Sequence, residues 1–257
     1  MLDLRPLLEV AKKAALAAGE VIKPELGKVH RYREKGENDF VTDVDIRAEE
    51  AIRKVILEAF PEHEILSEEA GEWGKSDFRW IVDPLDGTKN FIHGFPYVAV
   101  SVGLQVKGEL VVGAILDVAR DDLYFAAKGM GAYKNDERIH VSGERELSRA
   151  MVATGFPFRH KEFLDDYLRL FRKVFLNVSA VRRVGAAALD LAYVACGMFD
   201  GFFEYYLSPW DIAAGIVIVR EAGGIVEPIG GEDELSGNII ASTPAIFESL
   251  KELVEGD

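Results

Sequence analysis

Apolar residues at the head of the chain fall at helical spacing: Leu4, Leu7, Leu8, Ala11, Ala15, Ala18 and Ile22. The spacing predicts an amphipathic helix over residues 3–24, with Gly27 just beyond it. A second stripe, Ile46, Ile52, Val55, Ile56 and Ala59, predicts a helix over 45–60 that Pro61 terminates. Between them HRYREKGENDF (30–40) is polar and reads as a loop or ragged hairpin. The period then changes. Ile65-Leu66 and Trp80-Ile81-Val82 are short apolar runs that stop at acids, and both read as strands. Within 97–133, VAVSVGLQV, LVVGAILDV and LYFAA are β-rich, and the breaks Lys107-Gly108-Glu109 and Arg120-Asp121-Asp122 suit hairpin turns. Helical patterns return over 162–175, 185–197 and 211–222, the last ending at a Gly223-Gly224 cap signal. Residues 199–206 and 238–241 are strand candidates, and Pro244 opens a last helix. The order is that of a mixed α/β chain with a mainly antiparallel middle, free of repeats and linkers.

Composition narrows the partners. A chain of 257 residues, 49% hydrophobic, can bury a sizeable core in one or two domains. With 44 acids against 30 bases the net charge is −14, which repels nucleic acid and anionic membrane over most of the surface. An anionic substrate would need a local cation, a metal or an arginine cluster. One cysteine, Cys196, excludes an internal disulfide and reads as a buried helix thiol. MLDLRPLLEV has no basic region followed by an apolar core, and no apolar run reaches the roughly 18 residues that span a bilayer. A cytoplasmic protein without nucleic-acid or membrane partners is expected.

Acids collect where apolar runs end: Asp43 and Asp45 in VTDVD, Glu68 and Glu69 in LSEEAG, Asp83 and Asp86 in IVDPLDGT, Glu204 in FFEYY, and Asp211 in SPWDIAAG. Most have an ordinary reading. Asp43, Asp45 and Asp211 can cap helices, Glu68 and Glu69 can be solvated, and Glu204 can face water from an edge strand. DPLDGT is different. Pro84 favours a turn, which would bring Asp83 and Asp86 together. Two carboxylates so close repel unless a proton or cation lies between them, and Mg²⁺ suits a few carboxylates plus water and phosphate oxygens. Gly87-Thr88 then frees backbone to approach an anion, and more readily if a short helix begins there.

DPLDGTKNF, with SEEAG upstream and SPWDIAAG downstream, resembles the inositol monophosphatase family of Mg²⁺-dependent, lithium-sensitive phosphatases. The likeness runs from about Leu4 to the last helix. It implies one domain over 1–257, with subdomains meeting near residue 140, a layered α-β-α-β-α fold and a homodimer. It also implies roles. Glu68, Asp83 and the Leu85 carbonyl would hold one Mg²⁺, and Asp83, Asp86 and Asp211 a second. Glu68 would help hold a weaker third. Asp45, paired with the Thr88 hydroxyl, would orient or activate the attacking water. Backbone N–H groups of Gly87 and Thr88 would bind the phosphate. Gly185, Ala186 and Ala187 would line the substrate pocket, and Glu204 would bind substrate hydroxyls. The expected reaction is hydrolysis of a phosphate monoester by direct attack of water, the metals offsetting the phosphate charge. The five histidines, His30, His63, His93, His140 and His160, show no ligand spacing, and His93 reads as structural.

Two rivals differ in class. Asp43-Val44-Asp45 superficially resembles the Asp-x-Asp of haloacid-dehalogenase-type phosphatases. Only Phe40-Val41 precedes it, however, and Ile46-Arg47 follows where that pattern has threonine or valine. A metal or metabolite sensor on the same fold would have lost a ligand acid, and every expected acid is present. Within the family, substrates include inositol monophosphates, fructose 1,6-bisphosphate, 3′-phosphoadenosine 5′-phosphate and histidinol phosphate. Glu204 favours a polyol. Arg182, Arg183, Arg159 or Lys161 could meet a second phosphate, so dual action on inositol phosphate and fructose bisphosphate is the alternative.

Overall fold

The computed structural model describes residues 2–28, 31–231 and 233–256. Helix α1 (Arg5–Ile22) buries Leu7, Leu8, Ala11, Ala15, Ala18 and Ile22 on one face, as the stripe requires. The polar segment forms an antiparallel hairpin, β1 (Tyr32–Gly36) and β2 (Asp39–Thr42); His30 lies outside the described residues. Helix α2 (Asp43–Ala59) starts two residues before the predicted residue 45 because Thr42 caps it. The Thr42 hydroxyl accepts the Val44 N–H at 3.1 Å, and the Asp45 carboxylate accepts the Thr42 N–H at 2.9 Å.

Next come β3 (Glu64–Ser67), β4 (Gly71–Trp73), β5 (Phe78–Asp86) and a short helix α3 (Thr88–Ile92). They are followed by β6 (Ala99–Val106), β7 (Glu109–Asp117), β8 (Asp122–Ala127), β9 (Gly131–Lys134) and β10 (Glu137–Ile139). These strands make one sheet in the order β10-β9-β8-β7-β6-β5-β3-β4. Among the described residues, β3 and β5 are the one parallel pair within it. The expected turns join β6 to β7 and β7 to β8, with Lys107 and Asp121 at positive φ.

The chain leaves this sheet at Ile139 and enters a second at Met151. That half holds β11 (Met151–Thr154), α4 (Leu164–Asn177), β12 (Ala180–Arg182), α5 (Ala187–Ala195) and β13 (Gly201–Glu204). It ends with α6 (Pro209–Glu221), β14 (Ile225–Pro228), β15 (Ile239–Ser242) and α7 (Phe247–Glu255). The strand order is β12-β11-β13-β15-β14, with β11 parallel to both its neighbours. Because β13 is internal, Glu204 does not sit on an edge strand. Cys196 lies just past the last residue of α5 and is half-buried, not within a buried helix.

Alternation along the strands builds the layers. Val152, Phe203 and Ile240 face a core shared with α4 and α7, while Ala153, Phe202 and Ala241 face α5 and α6. In the first sheet Trp80, Val82, Val100 and Val102 face α1 and α2, and Ile81, Ala99 and Ile115 face α5 and α6. The result is the α-β-α-β-α stack that the resemblance implies. Gly103 on β6 lets α6 lie close, since a β-carbon there would come within 2.9 Å of the Ala213 β-carbon.

Candidate active site

The DPLDGT stretch is not the turn that its proline suggests. Strand β5 continues through it with a bulge: Asp83 pairs opposite Ser101 and Asp86 opposite Ala99, so two residues, Pro84 and Leu85, oppose Val100 alone. Pro84 has no N–H to give the ladder, so the irregularity falls where the ladder is weakest. The extra residue also shifts the side-chain parity. Positions three apart face opposite sides of a regular strand, whereas across the bulge Asp83 and Asp86 reach the same site. Gly87 then takes φ 90°, and a β-carbon there would meet the Tyr97 carbonyl at 2.8 Å.

Asp211, in the first turn of α6, completes a cluster. One carboxylate oxygen from each of Asp83, Asp86 and Asp211 lies within 4.8 Å of the others. Backbone amides orient all three. Leu85 N–H donates to Asp83 at 2.9 Å, Ala188 N–H at the start of α5 donates to Asp86 at 2.8 Å, and Ser208 N–H donates to Asp211 at 2.7 Å. Burial pushes all three carboxyl groups above the ordinary range, and mutual repulsion adds to it at Asp83 and Asp86. Among the described residues none of the three closes a salt bridge, and clustered carboxylate oxygens of this kind are the donor set of a hard divalent cation, so these residues fit one.

Glu68 opens onto the same cleft but is not in the tight cluster. Its carboxylate meets the Lys35 ammonium at 3.2 Å, and Glu69 meets the same nitrogen at 2.7 Å. Burial, with Asp211 and Glu69 nearby, pushes Glu68 up to about 7 against the pull of Lys35. Asp45 serves as the helix cap and also faces the site. One oxygen accepts from Thr42, and the other lies 3.2 Å from the Thr88 hydroxyl, which is 3.1 Å from the Leu85 carbonyl. Asp43, by contrast, is exposed beside Arg47.

The far wall comes from the second half of the chain. Gly185 and Ala187 line the cleft, while Ala186 lies beneath it, its β-carbon 3.4 Å from where one on Gly87 would be. Asn90 ties the two walls, its amide donating to Tyr97, Val184 and Gly185 carbonyls. The Glu204 carboxylate lies over Gly155, in space that a β-carbon would fill. Burial first, then Asp190, holds it well above the usual carboxylate range. Both Arg182 and Arg183 are exposed, but only Arg183 lines the cleft. Arg159 lines it too, paired with Asp39 at 2.8 Å, and Lys161 pairs with Glu37.

Sequence reasoning missed Lys35, Lys89, Asn90 and Phe158. Lys89 and Asn90 stand inside DPLDGTKNF, where the acids drew attention. Lys35 and Phe158 come from polar or loop segments far away in sequence, and nothing local marks them. His160 also lines the cleft, stacked on Tyr206 with ring centroids 4.1 Å apart. His93 is exposed and outside it.

Residues 3–256 match the inositol monophosphatase family. The fructose-1,6-bisphosphatase/inositol-1-monophosphatase of Aquifex aeolicus is 51% identical over 245 residues, 93% of each chain. The Nus factor SuhB of Escherichia coli is 43% identical, over 96% of this chain and 95% of that one. The structure of the inositol monophosphatase of Anabaena (Nostoc) sp. superposes with a TM-score of 0.89 at 37% identity, covering 98% and 96% of the two chains. With a family match over nearly the whole length and an acid-floored cleft in that family's fold, the chain belongs to the inositol monophosphatase family of metal-dependent phosphatases and is a phosphoric monoester hydrolase.

Proposed function

We propose that this protein hydrolyses myo-inositol monophosphate to inositol and phosphate with Mg²⁺ as its metal, two to three ions per site. The observation that carries the reading is the cluster of Asp83, Asp86 and Asp211, amide-oriented and, among the described residues, without a salt-bridge partner, at the floor of an open cleft. Glu68, Asp83, the Leu85 carbonyl, Asp86 and Asp211 would hold the metal, which when bound would offset the phosphate charge and activate water. Asp45 and Thr88 act on the attacking water. The buried Asp45 carboxylate, its pKa raised by desolvation, accepts the Thr88 hydroxyl proton and so aims the hydroxyl oxygen. Gly87 and Thr88 offer backbone N–H groups to the phosphate. Glu204, held toward its neutral form, can donate to as well as accept from a substrate hydroxyl, which supports a polyol.

A second reading, action on fructose 1,6-bisphosphate as well, is supported by Arg183 at the cleft mouth and by the double name of the Aquifex relative. Homodimer assembly, lithium inhibition and one functional unit over 1–257 in the cytoplasm belong to the same proposal, on the strength of family membership. The test is phosphate release from inositol 1-phosphate with Mg²⁺, with chelator, and in the Asp83→Asn variant. Chelator-proof turnover, or an active variant, would reject the metal reading. No turnover at all would reject the substrate.

A further inference from the structure

Helix α2 carries a second buried acid one turn after Asp45. Glu49 is 4% exposed, on the face that also buries Val44, Asp45, Ala48 and Ile52. Among the described residues it closes no salt bridge. Its Oε2 accepts two backbone N–H groups instead, from Glu69 at 3.0 Å and from Ala70 at 3.2 Å. Both residues belong to the turn 68–70, which joins β3 to β4 beyond the paired Ser67 and Gly71. Glu68 opens that turn, and its own N–H donates to the Val82 carbonyl at 3.3 Å. The turn that presents Glu68 to the cleft is thus pinned by β5 on one side and by the Glu49 carboxylate on the other.

A buried carboxylate without a cation is unfavourable unless its hydrogen bonds offset the lost water. The other contacts of α2 show what this one serves. Asp45 accepts the Thr88 hydroxyl at 3.2 Å, and Ala48 and Ile52 pack in the core that holds Val82 and Leu85 of β5. One helix therefore sets Asp45, the strand bearing Asp83, and the Glu68 turn in a single register. The Glu68 carboxylate itself meets Lys35, which comes from a strand exposed along its length. What Glu49 fixes is the backbone beneath it. Groups that hold a metal ligand in place govern metal affinity much as the ligand does.

We propose that Glu49 is a positioning residue for the cation that Glu68 helps to hold: its carboxylate fixes the 68–70 turn and, through it, the reach of Glu68 toward the acid cluster. This rests on the reading above in which Glu68 is a metal ligand. Glu49 does not line the cleft, so it acts through the turn and not on substrate. The role needs an acceptor oxygen at the full length of a glutamate side chain; it does not need the charge.

Two substitutions separate reach from charge. Glu49→Gln keeps an oxygen at the same distance, whereas Glu49→Asp keeps the charge and draws the oxygen back by about 1.5 Å, one carbon–carbon bond. In each, Mg²⁺ affinity is read by calorimetric titration without substrate, and as the half-saturating Mg²⁺ for phosphate release from inositol 1-phosphate. Glu49→Asp should weaken both about tenfold, with KM for inositol 1-phosphate at saturating Mg²⁺ unchanged. Glu49→Gln should stay near the wild type. A general fold defect would lower kcat at every Mg²⁺ concentration and show no such split. Unmoved Mg²⁺ affinity in Glu49→Asp would overturn the role, as would equal weakening in both variants. Weakening in Glu49→Gln alone would overturn it too, since charge would then be the cause. In those three cases the wild type still needs Mg²⁺, and the metal reading stands. Wild-type turnover that survives chelator, or a wild type that binds no Mg²⁺, would remove both. Should inositol 1-phosphate not be turned over, the calorimetric comparison decides alone.

Discussion

At the floor of the cleft one oxygen from each of three carboxylates lies within 4.8 Å of the others; at its mouth the Lys89 ammonium and the Arg183 guanidinium flank the Phe158 ring. The floor is largely buried and held by backbone amides of Leu85 in β5, Ala188 in α5 and Ser208, which caps α6. The rim is exposed and held by aromatic faces and long side chains. Opposite charges are thus held apart on one small surface, acids at the floor and cations at the rim. Floor geometry is fixed by main chain and should bear no substitution. Rim geometry is set by flexible side chains and should tune without breaking.

The sharpest break would come at the floor. Asp83→Asn should lower Mg²⁺-dependent phosphate release on the order of 10³-fold, measured at saturating substrate. Retention of a tenth of the activity would mean that the floor does not hold the metal. Gly87→Ala strains the backbone between floor and rim. A positive φ and a contact with the Tyr97 carbonyl together should cost about 2–3 kcal/mol, read as a lower Cm in urea at unchanged m. An unchanged midpoint would show that this link is soft. Glu204 stands between the two regions. Glu204→Gln should raise KM for inositol 1-phosphate about tenfold, and Gly155→Ala, by displacing the same carboxylate, should imitate it. If the two variants diverge, Glu204 acts through something other than its position.

The smallest effect concerns Asp190, buried behind the floor with one oxygen on the Tyr97 hydroxyl at 2.8 Å and the other unpartnered. Burial pushes its carboxyl up to about 8, from an ordinary value of 3.8. Between those pH values the native chain holds a proton that the unfolded chain has released. The contribution to stability is therefore full below pH 4 and declines as pH rises toward 8. Asp190→Asn should flatten that decline, raising the melting temperature by about 3 °C at pH 8.5 and by less at pH 5.5. Equal shifts at both pH values would mean that its ionisation is not the cause.

Much of the frame could be read from the chain because it depends on local period. The α1 stripe and the β6-β7-β8 meander are one-dimensional patterns, and they fold as their spacing says. The segments that went unread, β9 to β12 among them, are short, and their pairing is decided by partners elsewhere: β11 runs parallel to strands that follow it in sequence. At the site, acids ending apolar runs were visible because a carboxylate there needs a reason. Their grouping at the floor depended on a bulge, and strand propensities do not distinguish a bulge from a turn after proline. The Lys35 pairing with Glu68 and the Phe158 seat of Lys89 and Arg183 join residues from separate segments. No local spacing encodes such contacts, so nothing in the sequence tells Arg183, which lines the cleft, from Arg182, which does not.

The bulged strand and the late helix also impose an order in time. A chain still leaving the ribosome presents Asp83 and Asp86 long before Asp211, and the amide of Ala188 that orients Asp86 arrives between them. Until α6 has been translated and docked against Gly103, the nascent protein has no complete cluster with which to withdraw divalent ions from the translating machinery around it.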